Sequence, residues 1–229
     1  MKRLIMIMLI ITAASGLYAE DTFFPSKVGV EMLYANNDAK GKPTGYSRLI
    51  VREVNGSGNN MTITYGAETL DKNRKPPKNS PGEMTYQVVV KDGVLILDMN
   101  QMIPAGLMPE GVKVEISGMP MELPGNLQPG QSLKDADVTL TADMAILKMS
   151  TVVKMTDGQC LAIEDVIVPA GTFKSHKITQ TVSTTVLRRT TASKVISWYA
   201  PNIGTIKTET YDQKDKPVSS TELVEIKGN

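Results

Sequence analysis

The chain holds one histidine, His176, and one cysteine, Cys160. A general base needs a partner that orients it, and a zinc site needs several ligands at fixed geometry. No second histidine or spaced cysteine offers either. His176 therefore reads as a hydrogen-bonded strand residue on the face of Ile178 and Val182. A Cys160–His176 nucleophile pair would need a motif around the cysteine, and the segment DGQCLAIE matches none. Asp135, Asp137 and Asp143 could hold calcium only weakly, because the ligand count and turn glycine of a calcium loop are missing. There is no Gly-rich phosphate loop, no Gly-x-Ser-x-Gly and no His-Glu-x-x-His. The expectation is a protein that is not an enzyme and uses no metal or cofactor.

A second chemical signal is softer. Residues 99–130 contain Pro104, Pro109, Pro120, Pro124 and Pro129, with Met99, Met102, Met108, Met119 and Met121 between them. Thioethers are flexible and polarizable, so such a stretch suits a flap that fills gaps over a sheet. It equally suits a lip over a groove for varied apolar ligands. Thioether binding of Cu(I) is a third reading, with no His or Cys to support it. The residues expected to line a ligand site are Met99, Met102, Leu107, Met108, Met119 and Met121.

The elements that would position these residues are strands. Val28, Val30, Met32 and Tyr34 alternate with polar residues or glycine, as do Met61, Ile63 and Tyr65, and Val112, Val114 and Ile116. A period of two puts one set on a core and the other in water, as in antiparallel sheets. β-Branched runs, among them 161–168, 177–186, 194–199, 205–211 and 219–226, with short connections, predict an up-and-down meander of six strands from residue 157 onward. Asp92-Gly93 and Asp157-Gly158 each predict a hairpin turn. Between Ile146 and Leu147 the apolar set changes from even to odd numbers, which predicts a β-bulge or two strands with a tight bend. Residues 71–83 (DKNRKPPKNSPGE) read as an exposed loop, and no internal repeat stands out. The fold expected is mainly β: a single curved antiparallel sheet, a half-barrel, with the Met/Pro-rich loop packed on it.

The first residues set the compartment. Lys2 and Arg3 precede an apolar run from Leu4 to Ile11, then small residues up to Ala19, then Glu20 and Asp21. This is the pattern of a secretory signal peptide, and the run is too short to span a bilayer. Cleavage is expected after Ala19, leaving residues 20–229 as a single β-rich domain. The periplasm is the expected compartment, with release outside as the alternative. The whole chain carries a net charge of +1, and loss of Lys2 and Arg3 brings it to −1. That balance argues against nucleic acid as a partner and against strong electrostatic adhesion to anionic lipid.

Three segments carry a resemblance. Val168-Pro-Ala-Gly-Thr-Phe173, Trp198-Tyr-Ala-Pro-Asn-Ile-Gly-Thr-Ile-Lys207 and Thr221-Glu-Leu223, preceded by Leu127-Gln-Pro-Gly-Gln-Ser-Leu133, are similar to the TapB-like family of exported bacterial proteins. That family lies close to a larger family of unknown function. The resemblance implies a curved sheet like the half-barrel of periplasmic lipoprotein carriers, and implies no catalytic residues. The function expected is an exported, non-enzymatic envelope protein holding a lipid or other apolar ligand on a concave sheet face. The alternative is an adaptor for another envelope protein, and a hydrolase is a distant third. Mass spectrometry of the protein from its own envelope should find a chain beginning at Glu20. A chain beginning at Met1 would refute the cleavage site.

Overall fold

The structure is a computed structural model, and it describes residues 22–78, 80–98, 113–143 and 148–228. The first 19 residues, and with them the proposed signal peptide, lie outside the described residues. Among those described, thirteen strands form one antiparallel sheet. They are β1 (Glu31–Asp38), β2 (Pro43–Ser57), β3 (Asn60–Leu70), β4 (Met84–Lys91), β5 (Val94–Leu97), β6 (Lys113–Met119), β7 (Met121–Pro124), β8 (Ala136–Asp143), β9 (Lys148–Val168), β10 (Gly171–Val186), β11 (Arg189–Ala200), β12 (Gly204–Tyr211) and β13 (Pro217–Lys227). The order across the sheet is β6-β8-β9-β10-β11-β12-β13-β1-β2-β3-β4-β5-β7. The expected curved antiparallel meander is what forms, with β1 inserted between β13 and β2.

The two outermost strands are consecutive in the chain. β6 pairs with β8, Met119 lying opposite Asp137, while β7 pairs with β5, Met121 lying opposite Leu97. Only Pro120 separates them. Proline has no N–H to give to a ladder, so it fits where one pairing ends and the next begins. Lys134 Nζ reaches Glu122 Oε2 at 2.8 Å beside this seam. The sheet thus curls until its edges meet, further than a half-barrel. Gly118 supports the geometry: it sits at φ +139°, and a Cβ there would lie 2.0 Å from the Asp137 carbonyl oxygen.

Two sequence expectations need correction. Asp157-Gly158 is no hairpin, because β9 runs through it for 21 residues. Thr156 pairs with Thr181 and Gln159 with Thr179, so Asp157 and Gly158 together oppose Gln180 as a bulge. Asp157 takes φ 56°, the left-handed state that an Asp-Gly pair supplies in a bulge as readily as in a turn. From residue 157 onward the meander has five strands, β9 to β13, where six were expected. The phase change near Ile146–Leu147 resolves as two strands, with Asp143 of β8 opposite Lys148 of β9.

The core lies inside the curl. Met32, Val51, Ile63, Val88, Leu95, Leu123, Ile178, Ile206 and Leu223 are almost fully buried there. The segment before β1 folds in beside the β11–β12 turn. Asn202 N donates to the Thr22 carbonyl at 2.6 Å, and Phe23, 1% exposed, packs edge-on against His176 at 4.9 Å. Gly204, at φ +100°, lets the chain approach, since a Cβ would come within 3.0 Å of the Phe23 carbonyl oxygen.

The β1–β2, β3–β4 and β12–β13 connections turn at the opposite end of the sheet, and they share one geometry. In each an aspartate, Asp38, Asp71 or Asp212, offers one carboxylate oxygen to the backbone N–H groups two and four residues on, at 2.8–2.9 Å. Its own N–H donates to the carbonyl four residues on, and the residue three on has positive φ. The sequences are DAKGKP, DKNRKP and DQKDKP. The backbone donors hold all three carboxyls below the usual carboxylate range.

Phe23→Ala should lower stability by about 3–5 kcal/mol in urea unfolding, because it empties a filled core site. Val28→Ala, at a residue 58% exposed, should change stability by less than about 0.5 kcal/mol. Equal midpoints for the two variants would refute a structural role for buried Phe23.

Candidate ligand cavity

Inside the curl, above Phe23 and Phe24, lies a half-enclosed cavity of about 300 Å³. β1 contributes Met32 and Tyr34, β2 contributes Ser47 and Leu49, β3 contributes Tyr65, and β5 contributes Leu95 and Leu97. Tyr199, Ile203, Gly204 and Thr205 come from the β11–β12 turn and its flanks, and Thr221 from β13. These residues share a face because the register makes them partners: Met32 opposite Leu49, Tyr34 opposite Ser47 and opposite Leu223. The wall is mostly carbon, with a few hydroxyls set into it.

The aromatic part is ordered by ring contacts. Phe24 packs on Tyr65 at 5.1 Å, Tyr65 stacks on Tyr86 at 5.5 Å, and Phe23 packs on Tyr199 at 5.8 Å. Burial raises the ionisation of Tyr34 and Tyr199 above the ordinary tyrosine value, and that of Tyr65 to about 12. All three stay neutral phenols at any physiological pH. Two residues beyond Tyr34 on β1, Asn36 Nδ2 donates to Ser47 Oγ at 2.9 Å and Asn36 Oδ1 accepts from Thr221 Oγ1 at 3.3 Å. The lining thus passes from aromatic at Phe23 and Phe24 to the hydroxyls of Ser47 and Thr221, which Asn36 holds by hydrogen bonds. An amphiphile matches that gradient better than a pure hydrocarbon or a charged solute.

The expected site residues are distributed otherwise. Met99, Met102, Leu107 and Met108 lie outside the described residues. Met119 and Met121 flank Pro120 at the seam, where Met119 is 56% exposed and Met121 is buried. With Leu97, Ala136, Val138 and Met155 they line a smaller apolar space of about 160 Å³. Leu97 is common to both spaces, so they abut at the end of β5. The cavity residues Phe24, Tyr34, Leu49, Tyr65, Tyr199 and Ile203 were not singled out by sequence. The period-two pattern at Met32–Tyr34 and Met61–Tyr65 was the available signal, but it does not separate wall from core.

Cys160 and His176 lie near each other on the inner face of β9 and β10, and the aspartates Asp135, Asp137 and Asp143 lie apart from them on and before β8. Cys160 is fully buried opposite Ile178, and its thiol is pushed up by burial. His176 lies opposite Ile163 and Tyr199, packed by Phe23. Asp137 Oδ1 accepts from Met119 N at 3.3 Å, and no group of His, Cys, Asp or Glu among the described residues is placed to hold a metal. No helix among them is long and apolar enough to cross a membrane.

Two outcomes are expected. Cys160 should resist a thiol reagent in the folded protein and react fully only in denaturant; rapid labelling of the native protein would refute its burial. Tyr65 ionises near 10.0 when unfolded and about 12 when folded, so the stability its neutral phenol contributes is fully present below pH 10 and is lost as pH rises through about 12. An absorbance titration should show a phenol that ionises only above pH 11; ionisation of every tyrosine near 10 would contradict the enclosed cavity.

Two solved structures share the architecture. One is a protein of Bacteroides fragilis described as exported, with a YmcC-like fold, at 21% identity and a TM-score of 0.70. The other, described as a lipoprotein, is from Parabacteroides distasonis, at 22% identity and a TM-score of 0.72. In each case the match covers 90% of this chain and 99% of the other. No curated protein matches the chain at a significant level. The DUF3108-like family model matches residues 27–223, nearly the whole described sheet, and the chain belongs to that family.

Proposed function

We propose that this protein is an exported, non-enzymatic envelope protein that holds one apolar or amphiphilic small molecule in the cavity between Phe23 and Thr221. The observation that carries the reading is the cavity of about 300 Å³, walled by Met32, Leu49, Leu95 and tyrosine rings and edged by Ser47 and Thr221. Its size lies at the lower end of ordinary ligand sites, enough for one chain or ring system. Export is supported by the N-terminal sequence pattern and by the descriptions of the two structural neighbours, and the periplasm is the compartment we favour. The full burial of Cys160, whose thiol that burial pushes up, and the distance of the aspartates from it favour binding over catalysis. Narrower membership in the TapB-like group rests on the hairpin segments 168–173 and 198–207.

A second reading is an adaptor that pairs with another envelope protein. It is favoured by β6, an edge strand on which Met119 is largely exposed.

A fluorescent apolar probe should bind the native protein and be displaced by long-chain fatty acids. Thr221→Trp, which fills the hydroxyl side of the cavity, should weaken the probe at least about tenfold while the urea midpoint stays close to that of the parent. No probe binding, or equal binding by the variant, would refute the cavity reading. A stable complex with a second protein in native mass spectrometry, with no small-molecule mass, would favour the adaptor.

A further inference from the structure

Net charge near balance gave no reason to expect adhesion to an anionic surface. The fold overrides that expectation by segregating charge. In the sheet order, the β10–β11, β12–β13, β1–β2 and β3–β4 connections follow one another, and all turn at the end opposite Phe23. Together they carry Arg188 and Arg189, Lys214 and Lys216, Lys40 and Lys42, and Lys72, Lys75 and Lys78. All of these are exposed. None of these forms a salt bridge among the described residues, whereas Arg74 of the β3–β4 connection pairs with Glu225 at 3.8 Å.

The acids of this rim are fewer and turned to other work. Asp38, Asp71 and Asp212 each fix a turn through the backbone, Asp215 pairs with Lys194 at 2.8 Å, and Glu83 with Arg52 at 2.5 Å. At the other end, the connections 58–59, 92–93, 125–135, 169–170 and 201–203 hold one cation, Lys134. The three Asp turns have a common effect. Each folds its carboxylate under the loop and sends the lysines before the proline outward.

An independent feature stands on the same rim. The β10–β11 hairpin turns through Leu187 and Arg188, both in the left-handed region at φ 47° and 68°. Two-residue hairpins normally place Asn or Gly there, because a Cβ makes that conformation costly. Here the turn instead raises Leu187, 64% exposed, beside Val186, 37% exposed, with two arginines at its base. Strain kept at an exposed apolar tip points to use of that tip.

We propose that this rim docks on an anionic lipid surface, the lysines and arginines facing headgroup phosphates and Leu187 entering the apolar boundary. An apolar tip ringed by cations is the arrangement of interfacial membrane binding, in which polybasic attraction and a small insertion act together. Nucleic acid would find no aromatic stacking platform on these turns, which carry no Phe, Trp or Tyr between 186–189, 212–216, 38–42 or 71–78. The inference does not depend on what the cavity holds.

The test is co-sedimentation of the purified protein with vesicles of phosphatidylcholine alone or mixed with phosphatidylglycerol, at low and high salt. Binding should occur on the mixed vesicles and fall at least about tenfold at high salt, where charge attraction is screened. Lys40→Glu, Lys42→Glu, Lys214→Glu and Lys216→Glu combined should abolish it. Leu187→Asn should raise the urea midpoint, since Asn tolerates the left-handed state, yet weaken vesicle binding several-fold. Thr221→Trp should bind vesicles like the parent, which separates this result from the cavity reading. Equal binding to both vesicle types, no binding to either, or undiminished binding by the charge-reversed variant would each overturn the proposal.

Discussion

At Pro120 the chain leaves one hydrogen-bonded ladder and joins another. Met119 belongs to the edge that β8 defines, and Met121 to the edge that β5 defines. An extended chain advances about 3.3 Å per residue, so two residues on either side of a proline cannot be far apart. The two margins of a thirteen-strand sheet are therefore tied within one short segment. Without that tie the sheet would be an open, twisted surface. With it, the concave face becomes an interior, and everything buried on that face is buried because the margins meet.

The interior is then graded along its length. Phe23 and Phe24 occupy one end, supported by the β11–β12 turn and the Gly204 backbone. Aliphatic and phenolic walls follow, and then the Asn36, Ser47 and Thr221 groups that hydrogen-bond one another. Beyond these lie the Asp-fixed turns and their lysines. Apolar, amphiphilic and cationic zones thus succeed one another from one end of the curled sheet to the other. Each zone is made by the same strands read at different heights, so β1 and β2 contribute to all of them.

The class of fold was legible in the chain because period-two alternation is a local signal, and β1, β3 and the late meander all display it. The details that define the interior were not. Asp157-Gly158 has the chemistry of a turn, and only pairing on both sides of β9 makes it a bulge. Phe23 and Phe24 sit in no periodic run, and nothing local says that they fold inward. The cavity wall and the packed core draw on the same residue types, so Leu49 cannot be told from Val51 without the register. The repeated DAKGKP, DKNRKP and DQKDKP could have been found, since each holds Asp, Lys and Pro at the same spacing. Their separation by 33 and 141 residues hid them from any search for a fixed period. Leu127–Leu133 and the three later segments all lie within residues 27–223, which the DUF3108-like family model matches, and what they specify locally is turns and pairing.

The single tryptophan of the chain lies on the other side of the sheet from the cavity. Its strand neighbour Tyr199 lines the cavity, so Trp198 points away, 7% exposed. Its Nε1 donates to Glu164 at 2.7 Å, and Lys177 and Lys207 lie over its ring at 5.2 and 5.6 Å. The protein therefore has two optical populations kept apart by one backbone layer. Indole emission reports the pairing of β9 through β12 from outside, while the phenols of Tyr34, Tyr65 and Tyr199 report the cavity. A guest that enters the curl should disturb the phenols first and reach the indole only by energy transfer through the sheet, so occupancy and unfolding can be followed as separate spectroscopic events in one unlabelled sample.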